Sequence, residues 1–150
     1  MVSLQPMSAE GFDRWWSRIW VEYRAELIAA GSTEAVADEN ISQNLSAVYP
    51  DGQLAPGNHV FDVINEEDVV GCVWLADRGD EWFIYDIEVT ESLRGRGMGR
   101  ATMQAIEQFV RERGGNRIGL SVFGHNATAQ KLYLSEGYEI SRLSMLKKLN

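Results

Sequence analysis

Apolar residues in the first third of the chain recur at helical spacing. Behind Ser8, a good helix N-cap, Phe12, Trp15, Trp16, Ile19, Trp20, Tyr23 and Leu27 fall at i, i+3, i+4, i+7 intervals. This stripe predicts an amphipathic helix stopped near Gly31, its face buried in a core and partly available to wall a substrate cleft. A weaker helix is predicted for 33–48 on Ile41, Leu45 and Val48, and a short strand for "VSLQPM" at the start. A turn-rich connector, "YPDGQLAPGN", follows. The period then changes to two over 59–66, 69–77 and 82–89, separated by short turns, which predicts an antiparallel meander. Helical spacing returns with Met98, Ala101, Thr102, Ala105, Ile106, Phe109 and Val110, up to the Gly114–Gly115 stop. A strand over 117–123, a helix over 126–136 and closing strand structure over 138–149 complete the reading. Strand, glycine loop, helix, strand is one βαβ crossover, which sets its two strands parallel. The expected class is α+β, an αβα sandwich: a mixed, mostly antiparallel central sheet with helices on both faces, in one domain over 1–150.

Composition narrows the function. A 45% apolar fraction and five tryptophans in 150 residues imply a packed globule. A net charge of −8 argues against general nucleic-acid or anionic-membrane binding. The single cysteine, Cys72, excludes an intrachain disulfide and argues against a cysteine-rich zinc site. No metal is expected. No basic leader followed by an apolar stretch and no 18-residue apolar run is present, so a cytoplasmic protein is expected.

One segment runs against the overall charge. From 92 to 117 there are six arginines and two acids, a local +4. The core of it, "SLRGRGMGRA", lies between a strand and a helix, where unpaired helix N–H groups suit an anion. Glycines at 95, 97 and 99 permit positive φ and close approach of a ligand. The Lys-Ser/Thr pair of a P-loop is missing, because Arg100 and Ala101 follow Gly99. The spacing is G-x-G-x-G, not the dinucleotide G-x-G-x-x-G, and Arg117 stands where that fold needs an acid. An arginine–glycine nucleic-acid segment would be longer and set in basic surroundings.

Arg94-Gly95-Arg96-Gly97-Met98-Gly99 resembles the R/Q-x-x-G-x-G/A signature of the GNAT N-acetyltransferase superfamily, which binds acetyl-coenzyme A (acetyl-CoA). "HNATAQKLYLSEGYE" (125–139) is similar to the family's second motif. The resemblance is clear over 58–150 and thinner over 1–57, where the family varies with its acceptor. It implies the GNAT fold, with 58–150 as the coenzyme core and 1–57 as acceptor-side helices. It implies transfer of acetyl from acetyl-CoA to a primary amine by direct attack in a ternary complex. By the same resemblance, Arg94 to Gly99 cradle the pyrophosphate, Arg94 chiefly through its backbone, with Arg96 and Arg100 free to meet phosphates. Pantetheine slots between strand 82–89 and its parallel neighbour, and the amide of Val89 or of Ile87 polarises the acetyl carbonyl. Such donors are worth about 3 kcal/mol each in comparable acyl transfers. Asn126 contacts the pantetheine arm and doubles as an N-cap, and Tyr133 protonates the departing thiolate.

The general base is left open. Strict alternation along 82–89 puts Phe83, Tyr85, Ile87 and Val89 on one face, and Asp86 and Glu88 on the other beside Trp82 and Ile84. Carboxylates on an inner strand need solvent or partners, so a cleft-facing role is expected for Glu88 first, then Asp86, with a water chain as the remaining option. The next strand offers Ser121 where some protein-acetylating relatives carry glutamate. His125 is expected to make a structural hydrogen bond, and Cys72 to be a core thiol, not a nucleophile. Residues 1–57 carry three arginines and eight acids, favouring a cationic acceptor, either a small-molecule amine or a peptide amine. A homodimer is common in the family. The competing function is a catalytically silent CoA-binding sensor.

Overall fold

The computed structural model describes residues 2–149. The chain runs β1 (Val2–Pro6), α1 (Ala9–Ala29), α2 (Glu34–Val48), β2 (Asn58–Asn65), β3 (Asp68–Asp77), β4 (Trp82–Val89), α3 (Met98–Glu112), β5 (Ile118–Leu120) and α4 (Ala127–Ser135). Helices α1, α2 and α4 start where side chains can take orphan amides. Ser8 accepts from the Gly11 N–H at 3.0 Å, Thr33 from Val36 at 3.2 Å and Asn126 from Ala129 at 3.2 Å. Gly31, at φ +111°, turns the chain after α1.

The sheet order is β1-β2-β3-β4-β5. The first three pairings are antiparallel and the last, β4 with β5, is parallel through the α3 crossover. Two cores flank this sheet. On one side Val63, Val73, Leu75 and Ile84 pack with Met103, Ile106 and Val110 of α3, and Leu132 and Tyr133 of α4 close the edge. On the other side Trp15 and Ile19 of α1 meet Cys72 and Trp74 of β3, with Phe12, Trp16, Trp20 and Tyr85 around them. The aromatic stripe is therefore a core face: the Trp15 and Trp74 rings meet edge-on at 5.7 Å.

Three features depart from the sequence pattern. Strand β5 covers only Ile118–Leu120, with 121–125 continuing as exposed loop. The closing segment 139–149 forms no strand; Ile140, Leu143, Met145, Leu146 and Leu149 are exposed there. Its apolar spacing breaks at Arg142 and again at Lys147–Lys148, so neither face of a strand would be uniformly apolar. The third departure is a β-bulge in β4. Leu75 pairs with Ile84 but Trp74 pairs with Asp86, leaving Tyr85 as the extra residue. Trp82 and Ile84 thus face the α3 core, whereas Tyr85, Asp86 and Glu88 face α1. Asp86 and Glu88 are not beside Trp82 and Ile84, because one inserted residue flips the parity. No described helix is long and apolar enough to cross a membrane.

Candidate active site

The bulge sits where β4 leaves its parallel neighbour. Pairing with β5 spans Trp82–Ile84 only, so the strand from Tyr85 to Val89 has an open edge on that side. The Thr90 N–H donates to Val70 O at 2.8 Å, toward β3. Alternation from there turns the N–H groups of Val89 and Ile87 the other way, into the gap. The Val89 carbonyl, on the same edge, accepts from Arg94 Nε at 3.0 Å. The Arg94 side chain is thereby spent on holding the loop to the strand.

The loop continues into the α3 N-terminus. Gly95 (φ +78°) and Gly97 (φ +79°) are in the left-handed region, and a Cβ on either would meet nothing within 4 Å. Gly97 caps α3 without a side chain, so the amides opening the helix at Met98 and Gly99 have no side-chain partner. Gly99 differs: its φ is helical, and a Cβ there would lie 3.0 Å from Leu132 Cδ2, making it a packing glycine between α3 and α4. Arg96 is exposed and makes no hydrogen bond or ion pair among the described residues. Arg100 is not free as expected: it pairs with Glu136 at 3.2 Å and donates to Ser135 Oγ at 3.3 Å, tying α3 to α4. An open, positively charged, glycine-lined helix start beside a splayed strand edge fits a long ligand carrying phosphates at one end.

At the α1 side of the gap lies a half-buried polar cluster. Asp86 Oδ2 accepts from the Trp15 indole N–H at 3.3 Å. Glu88 receives a two-pronged contact from Arg18, Nη1 to Oε1 at 2.7 Å and Nη2 to Oε2 at 3.1 Å, and Arg18 also holds Glu22 at 3.0 Å. The Cys72 S–H donates to Glu88 Oε2 at 3.1 Å. Gly71 lets β3 press close here, since a Cβ would strike the Glu88 carbonyl. Cys72, Asp86 and Glu88 present polar atoms within 4.8 Å of one another, with Arg18 supplying the balancing charge.

The two carboxyls are driven apart. Burial, then the negative charge and hydrogen bonding of Glu88, push Asp86 well above the usual carboxylate range, against the opposing Trp15 and Arg18. Burial also opposes ionisation of Glu88, but the hydrogen bonds from Arg18, Asp86 and Cys72 outweigh it and hold Glu88 below the usual range. Burial, with both carboxylates adding to it, raises the Cys72 thiol far above ordinary, so it is inert as a nucleophile. Tyr133 of α4 is half-buried, and its phenol is pushed up to about 12 by burial, helped by the negative charge of Asp86. It keeps its proton across the physiological range.

Other expected positions fall as follows. Asn126 acts as the α4 N-cap and is exposed. His125 makes no hydrogen bond among the described residues; it stacks on Phe123 at 5.4 Å instead, because the strand that would have offered it a partner ends at Leu120. Phe123 in turn meets Tyr23 of α1 at 6.1 Å, so the loop after β5 packs on α1. Sequence reasoning missed Arg18, Trp15 and the contact made by Cys72. Position 18 lies on the aromatic helix face, three residues after Trp15, and that was its one signal.

The GNAT acetyltransferase family model matches residues 12–138. The chain belongs to the GNAT family. It is 31% identical to the uncharacterized N-acetyltransferase YycN of Bacillus subtilis, over 99% of both chains. It is 30% identical to YdgE of the same organism, over 98% of both. The crystal structure of YycN superposes with a TM-score of 0.89, covering 100% of this chain and 99% of that one. The aminoglycoside acetyltransferase AAC(6')-Iy, in complex with a CoA-linked bisubstrate analogue, shares the GNAT fold at 14% identity and a TM-score of 0.59, over 100% of this chain and 99% of its own.

Proposed function

We propose that this GNAT protein transfers acetyl from acetyl-CoA to an amine by direct attack, with Asp86 as general base and Tyr133 as general acid. The observation that carries this reading is the splayed β4 edge. It ends in an uncapped, glycine-lined helix start at one end and in a half-buried carboxyl pair at the other. The thioester supplies an activated acetyl group, and the chain's residues do the rest. The amides of Gly97, Met98 and Gly99, with Arg96 above them, hold the pyrophosphate, and Gly95 leaves room for it. Arg94 fixes the loop through Val89 O, and Arg100 anchors α3 to α4, so neither spends its charge on the ligand. Asn126 orients α4 and its Tyr133 toward the pantetheine arm. The gap-facing amides of Ile87 and Val89 donate to the acetyl carbonyl as negative charge develops there.

Asp86 suits the base better than Glu88. Once ionised as pH rises, its raised carboxyl is the stronger base and takes a proton from the attacking amine, whereas Glu88 is committed to Arg18 and too weak a base. Tyr133 stays protonated until the thiolate forms and then gives its proton to sulfur. Residues 1–57 form the acceptor wall, and their acidity favours a cationic amine. AAC(6')-Iy, which shares the fold, is seen in complex with a bisubstrate analogue that joins CoA to acetylneamine, which fits that class. Cytoplasmic location fits a supply of acetyl-CoA, and a homodimer is consistent with the family. Titration calorimetry tests the coenzyme assignment. Acetyl-CoA should bind with micromolar affinity while NAD and GTP do not; NAD binding more tightly than acetyl-CoA would refute it.

A further inference from the structure

Two carboxyls as close as those of Asp86 and Glu88 cannot both ionise cheaply, so one proton belongs to the pair. A symmetric pair would spread that proton over both groups. This pair is not symmetric. Arg18 reaches Glu88 with two nitrogens, at 2.7 and 3.1 Å, in the fork geometry that matches a carboxylate. Cys72 adds a third donor to the same group. Asp86 receives only a neutral indole N–H, at 3.3 Å.

We propose that Arg18 is a positioning residue for the reaction: its two-pronged hold keeps Glu88 the standing anion of the pair, so the exchangeable proton sits on Asp86. The inference rests on the acetyltransferase reading above for its purpose, but not for its test. Every element packed on the pair contributes a group. Helix α1 supplies Trp15, Arg18 and Glu22, with Glu26 one turn further along; β3 supplies Cys72 and α4 supplies Tyr133. Arg18 is the one cation among them. Its guanidinium is shared between Glu88 and Glu22, so α1 is oriented by the pair it polarises.

The test is a carboxyl carbon NMR titration of the full chain, which needs no acceptor. In the unmodified protein Asp86 should titrate above Glu88. Glu88→Gln removes the neighbouring charge and leaves the cation, so the Asp86 midpoint should fall by about one pH unit or more. Arg18→Gln should move it the other way and carry the Glu88 midpoint up into the ordinary range. Arg18→Lys keeps the charge but loses the fork and should fall between. If Glu88 titrates above Asp86, or the Asp86 midpoint stays put in these variants, the proposal is wrong. Should Arg18→Gln fail to fold, Arg18→Lys decides: a Glu88 midpoint unmoved from the unmodified protein would overturn the proposal. Failure of the acetyltransferase reading would show separately, as acetyl-CoA binding with no coenzyme thiol released for any amine.

Discussion

Asp86 and Glu88 stand two positions apart on one strand, yet their surroundings give them opposite tasks. Glu88 has three charged or polar donors and cannot easily take a proton; Asp86 has one weak donor, little water and an anion beside it. Tyr133, held protonated by burial, completes the proposed acid–base set, whose members differ through environment and not through residue type alone. Tyr133→Phe removes only the hydroxyl, so coenzyme affinity should stay within a few-fold. Its single-turnover rate should fall by roughly 10²-fold, read by rapid quench; an unchanged rate would assign the proton to water and the ring to the core. Carboxylates on an inner strand and a tyrosine in a familiar motif could be named from sequence. Their partners could not. Trp15, Arg18 and Cys72 lie 71, 70 and 16 residues from the groups they touch, and periodicity says nothing about contacts across elements.

At the scale of elements, the glycines of the loop separate by conformation. Gly97 combines φ +79° with an open space, whereas Gly99 is helical and abuts Leu132. Gly97→Val forces a side chain into the left-handed region at a cost of about 1–2 kcal/mol and fills the place where a phosphate would rest. It should lose coenzyme binding by calorimetry with only a small drop in Tm. Gly99→Ala keeps its φ and should act on Tm, through Leu132, with affinity largely retained. The reverse ranking would move the cradle elsewhere. Helix starts, the meander and the crossover were legible because capping residues, period and turn chemistry agree locally. The bulge at Tyr85 was not, since nothing in "WFIYDIEV" marks an inserted residue; it shows only in the pairing with β3. The closing segment misled for a related reason: apolar residues suggested a strand whose alternation two basic interruptions spoil.

Across the whole molecule, charge is sorted. The arginines cluster around the α3 crossover, and the acids around the first two helices, where Arg14, Arg18 and Arg24 are each already paired with acids. In the proposed reading, one end of the β4 gap takes phosphates and the other an ammonium group, which is the arrangement two substrates of opposite charge require. In that reading the gap brings the two substrates together for chemistry instead of storing a coenzyme. Coenzyme thiol release from acetyl-CoA, followed over a panel of mono- and polyamines as pH is varied, tests it most directly. At least one cationic amine should release thiol, with a rate that rises with pH as Asp86 gives up its proton. Asp86→Asn should cut that rate by roughly 10²-fold or more while still binding acetyl-CoA. Tight acetyl-CoA binding with no thiol release for any amine, or an Asp86→Asn variant as fast as the unmodified chain, would contradict the account.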